Sequence, residues 1–205
     1  MYNPRDSYWR RAKKEGYRSR ASYKLIELNE KFKLLKRGDR VLDVGCAPGG
    51  WMQVALEIVG EKGFVYGVDI EKVESFHKSN AEIIIADISK AEGRELILNK
   101  AGGMLDAIIS DIAPHTTGVK IADQAKSLEL SKEAFRISKI LLKESGNFLV
   151  KIFQGSDINK FLEELKLNFR EVKITKPEAT RKGSAEVYIV GKGFMGNSKC
   201  IVNSE

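Results

Sequence analysis

Five residues of the kind that do chemistry recur at comparable places along this chain. Asp43 in "RVLDV" (40–44), Asp69 in "FVYGVDI" (64–70), Asp87 in "EIIIAD" (82–87) and Asp111 in "LDAIISD" (105–111) each lie at or near the end of a short apolar run. Lys151 lies near the end of "NFLVKIF" (147–153). Aspartate also caps helices and starts turns, but four in succession point to a row of carboxylates along one edge of a structure. After the first run comes the turn Gly45, Cys46, Ala47, Pro48, Gly49, Gly50, closed by Trp51. It lacks the middle glycine of a G-x-G-x-x-G diphosphate fingerprint, and Trp51 stands where a phosphate loop needs lysine. A turn that brings backbone close to a ligand without cradling a diphosphate suits a cofactor that has no phosphate, and S-adenosylmethionine is one. On this reading Asp69 accepts hydrogen bonds from two ribose hydroxyls, Asp87 from an adenine amino group, and Trp51 walls the pocket.

Elements able to position these residues follow from the pattern. The runs at 40–44, 64–70, 82–87, 105–111 and 147–153 read as strands, and 170–175 and 185–193 complete a set of seven. Helical spacing appears at 20–34, where Tyr23, Ile26, Leu28 and Phe32 recur, and again at 50–59, 89–100, 121–143 and 157–167, the last opened by Ser156 or Asp157 as its cap. Short apolar strands separated by helices imply an α/β fold of Rossmann-like type, a mostly parallel sheet covered on both faces. No helix separates the last two strands, so they should pair antiparallel at one edge. In such sheets ligands bind beyond the carboxyl ends of the strands, where the strand order reverses, which is where the four aspartates and Lys151 fall.

The charge is uneven. Of the net +7, residues 1–40 contribute thirteen basic against five acidic side chains, a balance of +8, leaving 22 against 23 over the remainder. In "YWRRAKKEGYRSRASYK" the basic groups are interleaved with Tyr8, Trp9, Tyr17 and Tyr23, and Tyr2 lies just upstream. Cations neutralise phosphates and aromatic faces stack on unpaired bases, so this segment reads as an RNA-binding arm over residues 1–19. The catalytic domain then spans 20–193, and 194–205 forms a flexible tail. Two cysteines, Cys46 and Cys200, and two histidines, His77 and His115, support neither a disulfide framework nor a metal site. No apolar stretch approaches the length of a membrane span and the N-terminus lacks a secretory pattern, so a cytoplasmic protein is expected.

The stretches "AKKEGYRSRASYKLIELNEKF", "VLDVGCAPGGWMQV", "GVDI", "ADI", "SDIAP", "VKIFQG" and "KPEATRKGSAEVYIV" occur in an order that resembles the FtsJ/RrmJ family of RNA ribose 2'-O-methyltransferases over about residues 6–193. That resemblance implies the class I methyltransferase fold and a catalytic Lys-Asp-Lys-Glu tetrad falling on Lys24, Asp111, Lys151 and Glu186. It places cofactor contacts on Gly49, Trp51, Asp69, Asp87 and Asp111. "APGGW" and "GSAEVYIVGKGF" look more like the ribosomal branch, whose members modify a uridine of large-subunit ribosomal RNA, than the branch acting on the tRNA anticodon loop.

Methyl transfer to a ribose oxygen needs in-line positioning and the loss of a proton from a very weak acid. An ordinary lysine is almost wholly charged at pH 7, so a lysine base must be neutralised by its surroundings. Burial and a second ammonium favour the neutral form, whereas Asp111 and Glu186 favour the charged one. Lys151 thus has two open roles, general base or charged stabiliser of the developing alkoxide. Other acceptors fit less well: "SDIAPH" replaces the [ND]-P-P-[YF] turn of base-nitrogen methylation, and neither cysteine lies where attack on a pyrimidine ring requires one. His115, just beyond that turn, is placed to touch substrate or to stand at the pocket rim. A rival from another class is a noncatalytic RNA-binding ribosome-assembly factor that keeps the fold, and an intact tetrad argues against it.

Overall fold

The computed structural model describes residues 6–196; Tyr2, Cys200 and most of the proposed tail lie outside them. The chain runs α1 (Ser7–Glu15), α2 (Ser22–Phe32), β1 (Arg40–Val44), α3 (Gly50–Val59), β2 (Phe64–Asp69), β3 (Ala81–Ile85) and α4 (Ala91–Ala101). It continues through β4 (Leu105–Ser110), α5 (Lys120–Leu141), β5 (Leu142–Phe153), α6 (Ile158–Lys166), β6 (Phe169–Thr175) and β7 (Glu186–Phe194). The strands form one sheet in the order β3-β2-β1-β4-β5-β7-β6. β1 pairs parallel with β2 and β4, β2 with β3, and β4 with β5. β7 runs antiparallel to both β5 and β6, so the expected antiparallel pair lies at one edge, with the reversed strand one place in. The chain leaves β1 toward β2 on one side and returns to place β4 on the other, which opens a crevice above the carboxyl ends of β1 and β4.

Alternation along each strand feeds two cores. Leu42, Val44, Ile108, Phe148 and Val150 pack against residues of α4, α5 and α6, while Val41, Ala107, Ile109, Leu149, Tyr188 and Val190 pack against α2 and α3. Period-2 geometry therefore turns Lys151, two residues beyond Leu149, toward the α2/α3 face.

Two features depart from the sequence reading in detail. Asp157 stands at the N-cap of α6, but its side chain makes no capping hydrogen bond. β5 begins at Leu142 instead of 147 because Leu142 pairs with Leu105 ahead of a register shift to the Asn147–Ala107 pair, with Ser145 left-handed at φ 63°. Within the basic arm, residues 7–15 form a helix. Asp6 caps it by accepting from the Trp9 amide at 2.9 Å, and Tyr8 packs on Tyr23 of α2 at 5.5 Å between ring centroids.

Candidate active site

The turn after β1 is shaped for close approach. Gly45 has φ 78°, and a Cβ there would fall 2.6 Å from Ile112 Cβ, so no side chain fits between the β1 and β4 ends. Beside it, over the carboxyl ends of β1 to β4, opens a cleft of about 500 Å³ whose lining includes Gly45, Asp69, Asp87, Asp111 and His115. Asp69 spans its wall: Oδ2 accepts from the Ala47 amide at 2.8 Å and Oδ1 from the Glu71 amide at 2.9 Å. Asp87 Oδ1 accepts from the Ser89 hydroxyl at 2.6 Å and the Ser89 amide at 3.0 Å. Those bonds, the hydroxyl first, hold the Asp87 carboxyl below the usual carboxylate range. Ile70 and Ile88 add apolar lining. Ile70 and Glu71 were missed in the sequence, although their position just past a strand-end aspartate was the available signal.

Lys24, Asp111, Lys151 and Glu186 come from four separate elements and meet at one end of this cleft. Asp111 follows β4 directly, Lys151 lies in β5, Glu186 opens β7, and Lys24 stands in the first turn of α2. Lys24 Nζ lies 2.9 Å from Glu186 Oε2 and 4.0 Å from Asp111 Oδ1, while Lys151 Nζ lies 3.1 Å from the same Oδ1. Lys151 also donates to the main-chain carbonyl of Asp111. Both lysines are buried, 5% and 4% exposed, which an ammonium tolerates only when paired. Burial pushes the Asp111 carboxyl up, but the charges of Lys151 and Lys24 and the bond from Tyr188 outweigh it and hold it below its ordinary value. Asp111 is an anion serving two cations.

Tyr188 is a further residue that the sequence did not single out. It pairs directly opposite Lys151 across the β5–β7 ladder, and its hydroxyl donates to Asp111 Oδ1 at 2.6 Å. Burial, then the neighbouring Asp111 charge, pushes its phenol far above the ordinary value, so it stays a donor. The two-residue spacing from Glu186 within "EVYIV" would have revealed it, since both must face the same side of the strand. Trp51 and Gly49 lie outside the cleft lining. The Trp51 ring is 3% exposed, stacks on Tyr188 at 5.8 Å, and donates from Nε1 to the Ala21 carbonyl at 2.8 Å. Its side chain supports the site from behind instead of walling the cleft.

Two buried groups complete the picture. Asp43 is fully buried and, among the described residues, neither carboxylate oxygen has a hydrogen-bond partner. Burial, and then the charges of Asp111 and Asp69, push its carboxyl well above the usual range. The Cys46 thiol is pushed up by burial and by Asp43 and Asp69, which makes it a poor nucleophile.

Residues 17–194 match the model of the FtsJ-like methyltransferase family. The chain belongs to this family. It is therefore an enzyme, a methyltransferase, and the family's fold accounts for the sheet order above. Among FtsJ-like relatives, a protein of Methanothermobacter thermautotrophicus named ribosomal RNA large subunit methyltransferase E is 47% identical over 195 residues, covering 95% of this chain and 92% of its own. One of the same name from Methanocaldococcus jannaschii is 48% identical over 200 residues, covering 96% and 81%. Among solved structures, a Plasmodium falciparum protein described as a ribosomal RNA methyltransferase superposes with a TM-score of 0.77 at 34% identity, over 88% of this chain and all of that one. No helix of the described residues is long and apolar enough to cross a membrane, and among those residues no group of three or more His, Cys, Asp or Glu side chains is placed to hold a metal.

Proposed function

We propose that this FtsJ-like enzyme transfers a methyl group from S-adenosylmethionine to a ribose 2'-hydroxyl of large-subunit ribosomal RNA. The observation that carries the reading is the cluster of buried Lys24 and Lys151 with half-buried Asp111 and Glu186 at the end of a carboxylate-lined cleft. The cleft suits a cofactor rich in hydroxyl and amino groups, because Asp69 and Asp87 offer acceptors while Lys126 is the lone lysine or arginine in its lining. Asp69 would hold the ribose hydroxyls and Asp87 the adenine amino group, with Ile70 and Ile88 against the base. Backbone groups of Gly49 and Trp51, at the start of α3, would meet the opposite end of the molecule. When bound, S-adenosylmethionine supplies an electrophilic methyl group.

The chain's own residues then have separable tasks. Asp111 fixes Lys151 through two acceptors, its carboxylate and its carbonyl, and a third ammonium hydrogen is left to hold the acceptor oxygen. In this arrangement Lys151 acts as a cation that orients the ribose oxygen and stabilises negative charge as it develops there, with no reorganisation needed at the moment of reaction. Lys24, tied to Glu186, fixes the flank of the site nearest the arm. Arg10, Lys13 and Lys14, exposed on α1, give the RNA backbone a basic surface. The names of the relatives favour ribosomal RNA over tRNA. Incubation of the purified protein with methyl-labelled S-adenosylmethionine and with large ribosomal subunits, deproteinised ribosomal RNA or tRNA tests the reading. Label in large-subunit RNA supports it, and label confined to tRNA, or no transfer to any of the three, overturns it.

A further inference from the structure

The first turn of α3 binds protein along almost its whole length. A Cβ on Gly50 would fall 2.1 Å from Ser19 Oγ, 3.0 Å from Ser22 Oγ and 3.1 Å from Ser19 Cβ, and one on Gly49 would fall 2.8 Å from Arg18 Nη1. The Ser22 hydroxyl donates to the Gly50 carbonyl at 3.0 Å. Gln53 grips the same segment from both sides: its Oε1 accepts from the Arg18 amide at 3.1 Å, and its Nε2 donates to the Gly16 carbonyl at 3.1 Å. The Trp51 indole donates to the Ala21 carbonyl at 2.8 Å, and that carbonyl also accepts the Lys24 amide at 3.0 Å. Arg18 continues across to the β2–β3 connection, donating to the Glu74 and Ser75 carbonyls at 2.6 and 2.9 Å with its guanidinium 3.6 Å from the Phe76 ring centroid.

We infer that the side-chain space of Gly49, Gly50 and Trp51 is a seat for residues 18–22, and that through this seat Gly50 and Trp51 position Lys24 within the tetrad. Gly50 is small because the chain arriving from α1 lies against it, Gly49 is also held to glycine by its φ of 107°, and Trp51 fixes the carbonyl from which the first turn of α2 departs. The seat joins three things in one rigid unit: the turn after β1, the loop after β2, and the residue that carries Lys24. The inference rests on the role proposed for Lys24, and Gly50 and Trp51 act through it as positioning residues.

The test is the Gly50→Ala variant with a compensating change. Its added methyl meets Ser19, so kcat should fall at least about 10-fold while the Kd for S-adenosylmethionine changes less than about 3-fold. Ser19→Gly removes the severe clash at 2.1 Å and the Ser19 Cβ contact, leaving the Ser22 hydroxyl at 3.0 Å to give by a few tenths of an ångström, and, combined with Gly50→Ala, should restore most of the lost kcat. General damage to folding would not be reversed at a chosen neighbour. A Gly50→Ala variant with wild-type kcat, or a loss that Ser19→Gly leaves in place, overturns the inference. Should Gly50→Ala fail to fold, Trp51→Phe keeps a ring beside Tyr188 but loses the donor to Ala21. A several-fold lower kcat at unchanged cofactor Kd then supports the seat, and an unchanged kcat overturns it. Lys24→Ala separates the two readings. If it is inactive beside an unimpaired Gly50→Ala, the seat alone falls; if it is fully active, the tetrad role of Lys24 falls first and the inference with it.

Discussion

Replacing Asp111 by asparagine removes a charge that two buried ammonium groups share and changes almost nothing in size. At an effective dielectric near 20, a unit-charge pair at the Lys151 distance of 3.1 Å attracts by about 5 kcal/mol, and one at the Lys24 distance of 4.0 Å by about 4 kcal/mol. These gross figures are reduced by the cost of burying Asp111, by relaxation, and by Glu186, which keeps its own contact with Lys24. The net loss on breaking a buried pair from one side is about 3–5 kcal/mol. For a chain of 205 residues, at about 2–4 °C per kcal/mol, Asp111→Asn should lower Tm by roughly 6–20 °C. The pH dependence has a definite sign. The folded carboxyl lies below its ordinary value, so its stabilisation is complete above the unfolded value near 3.9 and is lost as pH falls through the folded value. Calorimetric melting should therefore give a Tm gap between wild type and variant that stays level from about pH 8 to 5 and narrows below about pH 4. A variant within about 2 °C of wild type at pH 7 would refute the shared ion pair.

Asp69→Ala should weaken S-adenosylmethionine binding by about 1.5–3 kcal/mol, roughly 10- to 150-fold in Kd, and unchanged affinity in titration calorimetry would remove Asp69 from the cofactor site. Asp43 has the opposite pH sign to Asp111: its folded carboxyl is raised, so wild-type stability is complete below the unfolded value and is lost as pH rises toward the folded one. Asp43→Asn carries no such penalty and should gain in Tm relative to wild type between pH 4 and pH 7. An equal difference at both pH values would contradict the burial of a neutral acid there.

Strands β1 to β5 were readable because each holds a short apolar run with a strand-end carboxylate or a clear boundary, whereas β6 is a largely exposed antiparallel edge strand. α1 was not read as a helix because its burial signal is thin: Ala12 is the buried residue of a nine-residue segment that is otherwise basic, aromatic or polar, and Asp6 and contacts to α2 hold it. Within the site, Asp69, Asp87, Asp111 and Lys151 could be picked out from their places at strand ends. Lys24 and Glu186 lie 162 residues apart and were reached only through family resemblance, since no local pattern couples a helix start to a distant edge strand. Trp51 shows a different limit. Its position in a glycine turn suggested a pocket wall, but which way a large ring faces is decided by the partner that packs on it, here Tyr188 and the Ala21 carbonyl.

The central claim is that Lys151, held by Asp111, serves attack by a ribose oxygen. The most direct measurement is transfer of labelled methyl to large-subunit RNA by wild type and Lys151→Ala, followed by alkaline hydrolysis of the product, which spares a backbone bond beside a methylated 2'-hydroxyl. Label should appear in alkali-resistant dinucleotides for the wild type, and Lys151→Ala should lose at least about 10²-fold in turnover with the fold and S-adenosylmethionine affinity retained. Label on a base, released in single nucleotides, or undiminished turnover by Lys151→Ala would contradict that claim.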